Sequence, residues 1–99
     1  MKPSELLAQP GAWTQGAWQR DEDGLPLSFY SNAYVRSRSA YGQLNIWFTP
    51  TQEQAYQAAL RRIDETLVAR GYTDGLMEWN DAPGRTQDEV VALLKEAGL

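Results

Sequence analysis

The sequence predicts an α+β fold: mainly α with a small β-hairpin, built as a compact single domain of three to four helices. Three observations carry that prediction. Residues 51–70 hold an amphipathic stripe between clear start and stop signals. A second helix-start signal sits at Thr86. A turn sequence, "DEDG", separates two strand-compatible segments near the N-terminus. Ninety-nine residues are the length of one domain, 1–99.

The elements follow in order. "PSELLAQPG" reads as a short first helix, capped by Ser4, apolar at Leu6 and Leu7, and stopped by Pro10-Gly11. It is too short to stand alone and must dock on something. "AWTQGAWQRDEDGLPLSF" reads as a hairpin. Trp13, Thr14 and Trp18 precede the turn; Leu25, Leu27 and Phe29 alternate after it, with Gly24 free to take a positive φ. Pro26 confines the second strand to an edge.

Residues 32–48 read two ways. As a helix capped by Ser31 or Asn32, they place Ala33, Ser37, Ala40, Tyr41, Leu44 and Phe48 on one stripe. As a strand, they alternate Tyr34, Arg36 and Arg38 against Val35, Ser37 and Ser39. The stripe runs for four turns, so the helix is the reading adopted.

Residues 51–70 form the clearest element. Thr49 or Thr51 caps it, Pro50 suits its first turn, and Thr51 with Gln54 makes a capping box. Tyr56, Ala59, Leu60, Ile63 and Leu67 form its core stripe, and Gly71 is the residue that ends it. Thr73-Asp74-Gly75 then makes a turn, and Leu76 to Trp79 a brief extended piece. The last helix starts at the Thr86–Glu89 capping box and turns Val90, Leu93, Leu94 and Ala97 inward. Asp88, Glu89 and Lys95 match its dipole.

Composition narrows the chemistry. There is no cysteine and no histidine. Disulfides, thiolate catalysis, Cys-based zinc sites and histidine general bases are therefore excluded, and no cofactor or metal is expected. Asp21, Glu22 and Asp23 do not have calcium-loop spacing and read as a charged turn. The net charge of −4 argues against nucleic acid, which selects a basic surface. Arg36 and Arg38, flanked by Tyr34 and Tyr41, are the one segment that could meet phosphate. No leader and no apolar run long enough to span a bilayer is visible. The expectation is a soluble, cytoplasmic protein that avoids membranes and whose partner is another protein.

The densest cluster of polar types is "EWNDAPGRTQDEV", 78–90. Turn and cap chemistry accounts for Pro83, Gly84, Thr86 and Glu89. Asn80, Asp81 and Arg85 are left over. Together with Trp13 and Gln15 of "AWTQGAW", they form the candidate partner-binding set.

"LLAQPGAWTQGAWQRDEDG" and "WNDAPGRTQDEVVALL" resemble a family of small uncharacterised bacterial and phage proteins. Its pattern is W-x-Q-G-A near the N-terminus, an acidic D-x-D-G turn, and W-N-D-x-P-G-R-T before the last helix. The matching positions are Trp13, Gln15, Gly16, Ala17, Asp21, Asp23 and Gly24, then Trp79 to Asp81, Pro83 to Thr86, and Val90. In the middle, Ser39 stands where the family tends to show cysteine, and Gln43 replaces alanine. The resemblance implies a bacterial or phage origin and a helix over 32–48. It implies no catalytic residue.

The functional expectation is a small acidic, non-catalytic protein-binding module, such as an inhibitor of a host protein or defence system. One alternative is an enzyme using Asp81 as base and Arg85 as electrostatic stabiliser, which needs a pocket holding a second acid such as Glu78. Another is a structural subunit that self-associates through the 51–70 helix.

Overall fold

A computed structural model describes residues 1–28 and 33–99. In order along the chain come α1 (Pro3–Leu7), β1 (Gln19–Arg20), β2 (Pro26–Leu27), β3 (Ser37–Arg38) and α2 (Ala40–Trp47). A 3-10 turn (Pro50–Gln52), α3 (Glu53–Ala69), α4 (Leu76–Asp81) and α5 (Gln87–Glu96) follow. The described residues thus hold five α-helices, against three to four expected, beside a small antiparallel sheet.

The hairpin forms where the turn signal places it. Asp21 Oδ1 accepts the backbone N–H groups of Asp23 and Leu25, both at 2.9 Å, and Gly24 has φ +82°. The strands are shorter than the aromatic spacing suggests. Gln19 pairs with Leu27 and Arg20 with Pro26, and Pro26 lies on the outer strand, as its missing N–H requires. Trp13 and Thr14 are not part of this hairpin. They run beside Arg38 in a parallel bridge, with Thr14 N–H donating to the Arg38 carbonyl at 3.0 Å. Gly16, at φ +75°, redirects the chain between the two pieces.

The helix expected from residue 32 is corrected in its first half. Ser37–Arg38 is a strand, paired with the other edge of β1, and helix begins only at Ala40. Backbone pairing wins there: Arg36 N–H reaches the Arg20 carbonyl at 2.8 Å. Ala33 and Ser37 leave the proposed stripe, whereas Ala40 and Leu44 stay on it and are buried. The cap is Ser39, whose hydroxyl accepts from Gly42 N–H at 3.0 Å. Phe29 and the expected caps Ser31 and Asn32 lie outside the described residues.

Two further boundaries move. The box that opens the long helix is Thr49–Gln52, not Thr51–Gln54. Gln52 Oε1 accepts Thr49 N–H at 3.0 Å, and Pro50 occupies the first position. Leu76 to Trp79 is helix, not extended. Gly75, at φ +91°, starts it, and Leu76, Trp79 and Asn80 are buried at helical spacing. A four-residue window is too short to reveal that period.

Ser4 also has another role. Lys2 is the cap residue, with Glu5 accepting its N–H at 2.8 Å. Ser4 is buried, and its hydroxyl donates to the Leu99 carbonyl at 3.1 Å. The short α1 docks on α5 and α2, as its length demands. Gln87 caps its far end, donating to the carbonyls of Leu7 at 2.6 Å and Gln9 at 2.8 Å.

One core joins all five helices. Leu7, Leu44, Ile63, Leu67, Leu76, Trp79, Val90, Leu93 and Leu94 bury nearly all their surface in it. Each such side chain contributes about 1.5–3 kcal/mol by leaving water. Among the described residues, no helix is long and apolar enough to cross a membrane.

Candidate functional site

The five candidate residues come together in space. Trp13 and Gln15 lie in the loop after α1; Asn80 and Asp81 end α4; Arg85 precedes α5. The centre is Asn80, which is fully buried. Its Oδ1 accepts from Trp13 Nε1 at 2.8 Å and from Ala40 N–H at 3.0 Å. Its Nδ2 donates to the Thr14 carbonyl at 3.1 Å and to Asp81 Oδ1 at 2.9 Å. An amide side chain has two donor hydrogens and two acceptor lone pairs, so every site is used. One residue of α4 thereby fixes both the loop and the start of α2.

The neighbours extend the same junction. Gln15 Nε2 donates to the carbonyls of Asn80 and Ala82, both at 2.9 Å, which closes the C-terminal end of α4. Asp81 Oδ1 also accepts Gly16 N–H at 3.0 Å. Arg85 lays its guanidinium over the Trp79 ring, 4.0 Å from the centroid, and its Nε donates to the Trp79 carbonyl at 2.9 Å. Its ion pair is with Glu89 at 3.0 Å, not with Asp81. Asp81 and Arg85 are half-buried, and Glu78 is exposed.

Arg20 contributes to this junction without having been a candidate. It reaches Thr14 Oγ1 and the carbonyls of Gln15 and Gly24, each at 2.9 Å. Nothing in the local sequence marks it, because its partners come from a loop whose path sequence alone does not give.

Glu89 is held by the cap it closes. The backbone N–H of Thr86, then its hydroxyl, then Arg85 keep the carboxyl below its ordinary value of 4.5. A depressed folded value stabilises the fold above the unfolded value, and that contribution is lost as pH falls through the folded one. Acid titration of unfolding should therefore show a decline beginning below about pH 4.5. Glu89→Gln should flatten that part of the curve; an unchanged acid limb would show that the box does not couple to stability.

A second feature was missed from sequence. Trp18, Tyr41, Tyr56 and Phe48 form a row of ring contacts, with centroids 5.0, 6.5 and 5.5 Å apart in turn. Burial, reinforced by the Tyr41 hydroxyl, pushes the Tyr56 phenol up to about 12, so it stays neutral. At one end the row borders a groove of about 410 Å³ lined by Ile46, Phe48, Pro50, Glu53 and Tyr56. Ile46 and Trp47 are 57% and 40% exposed on the last turn of α2. The signal was present in "LNIWF": four apolar residues in a five-residue run cannot all face one core from a helix end.

Residues 3–98 match the sequence profile of a family described as a family of unknown function, DUF6197. No curated protein and no solved structure matches the chain. The match takes in both halves of the Asn80 junction, and the chain belongs to the DUF6197 family.

Proposed function

We propose that the protein is a small, non-catalytic protein-binding module whose partner seats on the aromatic row and the end of α2. The observation that carries this reading is the exposure of Ile46 and Trp47 beside the Phe48–Tyr56 groove. Adjoining exposed apolar groups with a polar rim mark contact surfaces, and tryptophan and tyrosine are their usual anchors. The groove has one charged lining residue, Glu53. With a net charge of −4 for the whole chain, this favours a partner presenting an apolar side chain flanked by Lys or Arg.

Trp13, Gln15 and Asn80 serve this reading as the frame that holds α2, because their polar groups already bond within the fold. Of that set only Asn80 is buried; Trp13, Gln15, Asp81 and Arg85 are half-buried and keep some surface for a partner to touch. Such a module acts by occupation, without cofactor or metal, which is how an inhibitor of a bacterial host protein or defence system works.

The test pairs capture from a bacterial lysate with the double variant Ile46→Ser/Trp47→Ser. Wild type should retain one stoichiometric partner, and the variant at least tenfold less. Its melting temperature should stay within about 4 °C of wild type, as for a surface change. Undiminished capture by the variant would defeat the reading. So would light scattering that shows two copies joined through this face. Loss of the partner in Asp81→Asn at unchanged melting temperature would move the contact to the 78–90 loop.

A further inference from the structure

A different part of the molecule carries a cation that has no counterpart among the described residues. Arg38 lies on β3 with its side chain half-buried, and its Nε is inaccessible to water and has no hydrogen-bond acceptor. Among the described residues, its side chain makes no ion pair and no hydrogen bond. Burial alone lowers its affinity for its proton, but an arginine stays charged in proteins. A water-inaccessible N–H with no acceptor is costly, so such a group is normally matched by one, and on a guanidinium an anionic oxygen is the strongest match.

The surroundings suit one. Arg38 lines a cleft of about 210 Å³ together with Arg36, Gln43, Gln9, Pro10 and Tyr34. Among the described residues no Asp or Glu lines it, although acids outnumber bases 13 to 9 in the chain. Arg36 is fixed in place: its Nη2 donates to the Pro10 carbonyl at 3.0 Å, and its guanidinium lies against Gly11. A Cβ on Gly11 would come within 2.6 Å of Arg36 Nη2. Gln43 is only 5% exposed, and its amide has no protein partner among the described residues. Two arginines and a glutamine thus line one small polar space.

We propose that this cleft binds the phosphate group of a small molecule, with Arg38 and Arg36 as charge-bearing donors and Gln43 as a neutral one. Arginine forks match tetrahedral oxyanions by paired N–H bonds. The cleft falls below the roughly 300–1,000 Å³ of sites for drug-sized ligands, so the ligand is little larger than the phosphate itself. Tyr34, 68% exposed at the rim, offers a flat surface to whatever the phosphate is attached to. The site shares no residue with the aromatic row and stands apart from the partner-binding reading.

The test uses inorganic phosphate and a sugar phosphate as probes, with sodium chloride at matched ionic strength and acetate as controls. Phosphate should raise the melting temperature saturably and shift the Arg38 Nε–H resonance, while chloride and acetate should not. Arg38→Met should abolish the shift in melting temperature and weaken phosphate binding at least tenfold. Its own melting temperature should be equal or higher, because it removes a buried N–H that has no acceptor. Gln43→Leu, a second variant of similar volume, should weaken binding several-fold. Tighter binding of the sugar phosphate assigns the site to a phosphate monoester; equal binding assigns it to free phosphate. No saturable effect of phosphate on the wild-type chain overturns the proposal. Phosphate binding unaltered in Arg38→Met overturns it as well.

Discussion

Asn80→Ala should lower the melting temperature by about 15–25 °C, the largest loss of any single polar truncation in this fold. The amide ties two remote segments, the 13–14 loop and the start of α2, to α4 at once. Removing it strands Trp13 Nε1–H, Ala40 N–H and the Thr14 carbonyl, while Asp81 keeps its bond from Gly16. Each stranded buried group costs about 1–3 kcal/mol, less where water can reach the half-buried Trp13. The sum is about 3–4 kcal/mol, a large share of the 5–15 kcal/mol that holds a domain folded. Asn80→Asp separates lost packing from lost donors. It keeps the size and one acceptor, but turns the Nδ2 donor into an oxygen facing the Thr14 carbonyl and Asp81. At pH 7 it should be at least as unstable as the alanine variant. It should recover toward acid pH as the new carboxyl takes up a proton and can donate again. Thermal and urea unfolding at two pH values measure both effects. Near wild-type stability of Asn80→Asp at pH 7 would mean the donor side of the hub contributes nothing.

The sequence marked Asn80 as unexplained, and the structure explains why it resisted. Its four bonds go to residues 13, 14, 40 and 81, and three of those are remote in the chain. Cap and turn chemistry is local, which is why Thr86, Glu89, Gly24 and Gly71 were legible from their neighbours alone. A polar residue whose partners lie 40 to 67 positions away leaves no local signature. The same distinction sorts the elements. α3 and α5 carry enough turns to display their period, and their buried faces are the ones the spacing predicts. α4 has six residues and β3 two, too few to show one.

The central segment shows a conflict between levels. Its helical stripe is real from Ala40 onward, yet Ser37 falls on it equally well and still lies in a strand. The decisive factor is the second edge of β1, which would otherwise present unpaired backbone groups. Ser39 sits at the switch. Its N–H donates to the Trp18 carbonyl at 2.9 Å, ending the sheet, while its hydroxyl caps α2. The aromatic row was hidden for a related reason: Trp18, Tyr41 and Tyr56 look like separate core residues until the hairpin and two helices bring their rings side by side.

Gly42→Ala should destabilise the fold by about 2–3 kcal/mol, against the sign that helix propensity alone predicts. Alanine in the interior of a helix normally gains about 0.8–1 kcal/mol over glycine. Here a Cβ would stand 2.3 Å from the Trp18 carbonyl oxygen and 3.3 Å from Ser39 Oγ. That carbonyl cannot withdraw cheaply, because it accepts from both the N–H and the hydroxyl of Ser39. Relief therefore requires α2 to lift from the sheet, which would break the Ser39 bonds and open the Trp18–Tyr41 contact. Gly71→Ala is the control. That position has φ +84° and nothing within 4 Å of a new Cβ, so its cost is backbone strain alone, about 1–2 kcal/mol. Both variants should unfold at lower urea, but only Gly42→Ala should change the native tryptophan emission and near-UV dichroism. If the proposed partner surface is right, Gly42→Ala should also weaken capture, because the row it disturbs begins at Trp18. Equal stability of Gly42→Ala and wild type would mean that the helix and the Trp18 loop are not in the close contact on which the aromatic row depends.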